Sequence, residues 1–168
     1  MKFTRTIKTA LSAAVVGFLA LGLASTSAFA ATTTTTFNVT AGIGNTCTVS
    51  ATNMAFYTIP TTSASTATST ITLTCTNHDL YTVALSAGGS GNEAARYMSG
   101  VTPTNHLSYG LYSDIGHTTN WGTTNGQVAG TGTGAAVPIT VYGQITAAQA
   151  AAAPVDNYSD TITVTVTY

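Results

Sequence analysis

The chain has 168 residues, of which four are Lys or Arg and five are Asp or Glu. Three of the cations, Lys2, Arg5 and Lys8, stand at the very start, so the remainder carries Arg96 alone against Asp79, Glu93, Asp114, Asp156 and Asp160. That balance excludes nucleic acid as a partner, because neutralising phosphates takes several Lys or Arg, and it excludes anionic lipid surfaces for the same reason.

In chain order, residues 1–30 read as a secretory signal. They have a positive start, the apolar run "ALSAAVVGFLALGLA" and an Ala28-Phe29-Ala30 cleavage site. The apolar run of about fifteen residues falls short of the roughly twenty that a membrane span needs. Cleavage after Ala30 is therefore favoured over a retained anchor, with no membrane insertion afterwards. Residues 31–168 suffice for one domain with a core of its own.

The next stretch, "ATTTTTFNVTAGIGNTC" (31–47), alternates. Phe37, Val39, Ala41 and Ile43 fall on one face of an extended chain, and Asn38, Thr40, Gly42 and Gly44 on the other. A lone strand cannot satisfy its own backbone groups, so this one must pair with something. It could fold back through the turn pair Gly44-Asn45. Against a hairpin, the odd-numbered face runs on through Asn45, Cys47 and Val49 without a change of phase, which reads as one long strand.

Beyond Cys47 the polar residues are Thr, Ser, Asn and Gly, which favour strands and turns over helices. The 44% hydrophobic content and the alternation argue against disorder. Strands are predicted at 47–51, 69–75, 80–86, 96–100, 106–113, 137–145 and 158–168, the number expected of an immunoglobulin-like sandwich. Between them, 86–95 reads as a turn region and 122–136 as a loop with a short β-piece at 127–129. The low-complexity "TIPTTSASTATST" (58–70) reads as an exposed loop or loose edge. "TAAQAAAAP" (146–154) supports at most one helical turn before Pro154. In the last strand Ile162, Val164, Val166 and Tyr168 point one way and the intervening threonines the other. The sequence stops on that strand, so the open edge beside it is expected to be closed by the N-terminal strand, of this molecule or of another.

Cys47 and Cys75 are the only cysteines, and in an exported chain they predict one intramolecular disulfide. A metal site is disfavoured, since no C-x-x-C pair or histidine stands at ligand spacing. Catalysis has little foothold. His78, His106 and His117 are scattered, and G-x-S-x-G and H-E-x-x-H are both missing. "DNYSD" (156–160) faintly suggests a calcium loop but lacks its Gly and distal Glu, so a strand-opening turn with Asp160 bonding nearby backbone is favoured. Trp121 with Tyr109 and Tyr112 could form a sugar-stacking platform, although aromatics in a sandwich belong more often to core or interface.

Seven segments, "FNVTAGIGNTCTVSATNMAFYTI", "ITLTCTNHDLYTVALSAGG", "RYMSG", "LSYGLYSD", "WG", "VYGQI" and "NYSDTITVTVTY", resemble the spore coat protein U domain family. That family includes the major subunits of archaic, Csu-type chaperone-usher pili. The cysteine pair, the Leu-x-Tyr-x-Leu-Tyr strand and the Tyr-x-Asp opening of the last strand carry the likeness, which covers residues 31–168 in order. It implies an all-β, immunoglobulin-like sandwich that is incomplete, lacking its final strand. Residues 1–30 would be the signal peptide, 31–45 a donor strand and 46–168 the pilin-type sandwich.

The partners implied are a periplasmic chaperone that fills the gap temporarily, an outer-membrane usher, and other copies of the chain joined head to tail. Export would run through the periplasm to the cell surface, with adhesion and biofilm formation as the use. The implied donor positions are Phe37, Val39, Ala41 and Ile43. The implied acceptor and chaperone-binding positions are Ile162, Val164, Val166 and Tyr168. No catalytic residue, metal or cofactor is implied. A shaft role fits better than a tip role, which would need an added receptor-binding domain; the alternative is a self-complete secreted spore or cell coat protein. Two positions depart from the family pattern: Ala41 is small for a donor residue, and Phe56-Tyr57 stands where Phe-Gly is usual.

Overall fold

The computed structural model describes residues 30–168, so the secretory-signal reading lies, Ala30 apart, outside the described residues. The chain divides into two units, one ending at Thr40 and the other spanning Ala41–Tyr168. Of the first, residues 30–40 form neither helix nor strand and are exposed.

Besides two 3₁₀ turns, Gly88–Ser90 and Glu93–Ala95, the second unit holds ten strands and one short α-helix among the described residues. These are β1 (Cys47–Ala51), β2 (Ser65–Cys75), β3 (Leu80–Leu85), β4 (Tyr97–Gly100), β5 (His106–Ser108), β6 (Gly110–Tyr112), β7 (Val128–Thr131), β8 (Ala136–Ile145), α1 (Ala147–Ala152), β9 (Tyr158–Ser159) and β10 (Val164–Thr167). They form a four-stranded sheet in the order β1-β2-β8-β6 and two three-stranded sheets, β10-β3-β7 and β5-β4-β9. All pairings are antiparallel. Alternation builds the core. Ile71, Leu73 and Cys75 of β2, Tyr81, Val83 and Leu85 of β3, and Val141 and Ile145 of β8 turn inward with Trp121. The fold is an immunoglobulin-like β-structure.

Several sequence expectations change. The strand predicted at 69–75 begins at Ser65, because Thr, Ala and Ser at 65–68 pair with the far end of β8 up to Ser65↔Ile145. β-branched Thr suits a strand even where no apolar residue marks it. The single strand predicted at 106–113 breaks at Tyr109: β5 pairs with β4 and β6 with β8, in different sheets. The strand predicted at 158–168 breaks likewise, β9 joining β4 and β10 joining β3, with Ile162 and Tyr168 outside both strands. The segment 147–152 is a full α-helix, because Gln149 N–H donates to Thr146 Oγ1 at 3.2 Å and Thr146 N–H donates back to Gln149 Oε1 at 2.8 Å, a capping box. Residues 41–46 belong to no strand, so neither the hairpin at Gly44-Asn45 nor a continuous strand from Ile43 through Val49 forms.

The disulfide joins Cys47 to Cys75 as expected. The two residues lie directly opposite each other where β1 meets β2. Thr76 N–H donates to Thr46 O at 2.9 Å next to them, so the cysteines occupy the non-hydrogen-bonded register, in which side chains approach closest.

Candidate strand-docking groove

Among the sheet edges, two concern the groove: β1 pairs only with β2, and β10 only with β3. Between them runs a groove of about 630 Å³. Ala51 and residues 52–56 form one wall, residues 158–162 with Val164 the other, and Ile71, Leu85, Leu111 and Val141 the floor. Those floor side chains are between 1% and 4% exposed, so an apolar core lies directly beneath an unfilled slot.

The register shows which backbone groups face the slot. Ser86 N–H donates to Thr163 O at 3.0 Å, which makes Thr163 a hydrogen-bonded partner of the strand behind it. Hydrogen-bonded positions recur every second residue in an antiparallel ladder. Thr165 and Thr167 therefore bond to β3, while the N–H and C=O groups of Val164 and Val166 face the open side. On β1 the corresponding bond is Thr52 N–H to Thr70 O at 3.0 Å, which leaves Val49 and Ala51 with outward-facing backbone. Backbone groups without a partner in their own sheet therefore stand at both walls, at Ala51 and at Val164, above an apolar floor.

The end of the groove near Asp160 is polar and densely bonded. Asp160 Oδ2 accepts from the Tyr109 hydroxyl at 2.6 Å, and Oδ1 accepts from Gly89 N–H at 2.9 Å and Thr161 N–H at 2.8 Å. The turn expected at "DNYSD" is thus built on Asp160. Burial foremost, and then the bond to Asp160, push the Tyr109 phenol well above its ordinary pKa. Gly88, at φ 65°, passes so close that a Cβ there would collide with the Asp160 carboxylate. Asp156, at the other end of the same turn, accepts from Thr102 N–H at 3.0 Å and Asn105 Nδ2 at 2.9 Å. The backbone bond from Thr102, and then the bond from Asn105, hold its carboxyl down at about 2. Both carboxylates have protein donors as partners.

On the opposite wall, Met54 and Phe56 are half-buried and lie over Gly143, where a Cβ would collide with the Met54 sulfur and the Phe56 ring. Tyr57 takes φ 53°, the left-handed conformation suited to glycine, so the turn keeps that geometry with a tyrosine in place.

Of the residues singled out in the sequence, Ile162 and Val164 line the groove. Val166 is half-buried opposite Val83, and Tyr168 is 53% exposed. Phe37, Val39 and Ile43 are 84%, 81% and 90% exposed, and Ala41 is exposed as well. Trp121 is fully buried and its Nε1–H donates to Val83 O at 2.9 Å, so it forms no surface platform for sugars.

One residue that the sequence reading leaves aside is central. Arg96, fully buried, donates from Nε to Ser86 O at 3.0 Å, from Nη1 to Glu93 O at 3.0 Å, and from Nη2 to Ser86 O and Trp121 O at 2.8 and 2.7 Å. Burial lowers its pKa, and the fields of Tyr109, Glu93 and Asp160 act the other way. The available signal was its isolation as the one cation after Lys8.

The Spore Coat Protein U domain profile matches residues 33–165. Over 83 residues the chain is 35% identical to Protein U of Myxococcus xanthus, a match covering 49% of this chain and 45% of that protein. Among solved structures, it is similar to the crystal structure of a CsuC-CsuE chaperone–tip adhesion subunit pre-assembly complex from the archaic chaperone-usher Csu pili of Acinetobacter baumannii. That match has a TM-score of 0.56 at 20% identity and covers 74% of this chain and 40% of the matched one. The chain therefore spans less than half the length of either relative. With the profile matched over most of its length, the chain belongs to the Spore Coat Protein U domain family.

Proposed function

We propose that this chain is a non-catalytic structural subunit of a surface fibre, built by donor-strand complementation. In this reading residues 31–45 of one copy lie in the groove of the next, with Phe37, Val39, Ala41 and Ile43 turned toward the floor. A periplasmic chaperone occupies the slot until an outer-membrane usher exchanges it, and the fibre serves adhesion and biofilm formation. The observation that carries the reading is the slot itself: two unpaired strand edges flank an apolar floor in a chain that also presents an alternating, exposed apolar segment.

Magnitudes agree. Burial of Phe37, Val39 and Ile43 contributes about 1.5–3 kcal/mol each, with Ala41 less. Each backbone hydrogen bond adds about 1 kcal/mol net before ordering costs. A head-to-tail contact of this kind repeats without closing and yields a filament.

Co-expression with a cognate chaperone and usher, followed by SDS gels without boiling and by electron microscopy, tests the reading. SDS-resistant ladders and fibres are expected, and both should vanish when Phe37→Asp and Val39→Asp are introduced. Fibres that survive those replacements overturn the proposal. The Spore Coat Protein U domain match is compatible with a second reading, a self-complete secreted coat protein, which predicts a soluble, fully folded monomer in the same experiment.

A further inference from the structure

We propose that Asp160 is a positioning residue for the docking edge: gripped by Tyr109 and Gly89, it fixes residues 160–164 in place before any strand arrives. The inference rests on the docking function proposed above and adds an order of events to it. The two walls are held differently. On the Asp160 side the carboxylate takes three donors, from Tyr109, Gly89 and Thr161, and the glycine at position 88 lets the backbone close on it. Three residues on, Ser86 exchanges bonds with Thr163, donating its N–H to Thr163 O at 3.0 Å and accepting Thr163 N–H on Oγ at 2.9 Å. The Ser86 carbonyl is in turn held by the buried Arg96. This side is pinned through Tyr109, Gly89 and Ser86, none of which uses the outward backbone of Val164 and Val166.

The facing wall is tied to β2 at Thr52, whose N–H donates to Thr70 O and whose carbonyl accepts from the Ser69 hydroxyl; residues 53–56 lie beyond that tie. They lean on the core through the half-buried side chains of Met54 and Phe56. An incoming strand therefore registers first against the pinned edge, and the looser wall settles on it afterwards. Preorganisation of this kind lowers the ordering cost of docking and slows release.

The test uses the full chain carrying Phe37→Asp and Val39→Asp, so that only an added probe can fill the slot, and the probe is a synthetic peptide of residues 31–46. Tyr109→Phe and Asp160→Asn are compared with Asp156→Asn, which removes a similarly bonded carboxylate of the same turn away from the groove. Release of bound peptide should accelerate at least tenfold in Tyr109→Phe and in Asp160→Asn, and less than twofold in Asp156→Asn. Amide exchange in the peptide-free chain should rise at Thr163 and Thr165 while the β2–β8 ladder keeps its protection; Asp160→Asn, which preserves shape, carries the test if Tyr109→Phe fails to fold. Release as slow as in the parent, or exchange rising uniformly across the sheets, overturns the positioning role. A parent chain that captures no peptide instead overturns the docking reading, and this inference falls with it.

Discussion

The Tyr109 hydroxyl donates to Asp160 Oδ2 across 2.6 Å, and each residue stands where the chain leaves one sheet for another. Tyr109 separates β5 from β6, and Asp160 follows β9 on the way to β10. This bond has an alkaline consequence. The folded phenol's pKa is raised above its ordinary value of about 10, so its contribution to stability is complete below pH ~10. Above that pH the unfolded chain loses the proton that the folded chain retains, and stability falls. Urea midpoints measured from pH 9 to 11 should drop, and Tyr109→Phe should remove that part of the slope.

Acid acts through Asp156. Its folded carboxyl, held at about 2 by Thr102 and Asn105, lies below its ordinary value. The stabilisation is present above pH ~4 and is lost as pH falls toward 2. Acid titration followed by fluorescence of Trp121 should show an earlier onset for the parent than the remaining carboxylates alone produce, and Asp156→Asn should flatten the curve between pH 4 and 2.

Replacing Arg96 by Lys keeps a positive charge but loses the planar fork that reaches Ser86, Glu93 and Trp121 together. Breaking a buried, charged hydrogen-bonded arrangement costs about 3–5 kcal/mol. Arg96→Lys should therefore lower the unfolding free energy by about 3 kcal/mol or more in chemical denaturation, or yield no soluble protein.

Reducing the disulfide between Cys47 and Cys75, whose sequence separation is 28, removes about 3–4 kcal/mol in the chain-entropy account. Urea unfolding with and without reductant measures the difference. Because β1 is an edge strand, amide exchange should rise first at residues 47–51.

Tyr57 is 93% exposed at φ 53°, so its side chain contributes little packing while its backbone sits where Cβ is penalised. Tyr57→Gly should raise stability by about 1 kcal/mol, and Tyr57→Val should lower it, since a β-branched residue tolerates that conformation least. Thermal melts of the two variants give opposite signs.

The faces of β2, β8 and β10 are legible in the sequence because inward and outward positions alternate by the local geometry of an extended chain, as Ile71, Leu73 and Cys75 against Thr70, Thr72 and Thr74 illustrate. The cysteine pairing is legible because two thiols allow one bridge. The start of β2 at Ser65 is not, since a Thr/Ser/Ala run pairs through its backbone and leaves no apolar mark. The break at Tyr109 is equally hidden, because Leu107, Tyr109 and Leu111 keep one face across it, whereas Asp160 interrupts the apolar face at the break after β9.

Sequence alone therefore determined the strand-rich class, the inward faces, the disulfide and an alternating leading segment that asks for a partner, each a matter of short-range periodicity or residue type. Only the tertiary structure decided which edges stay unpaired, that a slot opens between residues 51–56 and 158–164, and that Arg96 is enclosed by carbonyls from residues 86, 93 and 121. Those outcomes depend on how distant strands share neighbours, and nothing in the local alternation encodes where a sheet runs out of partners.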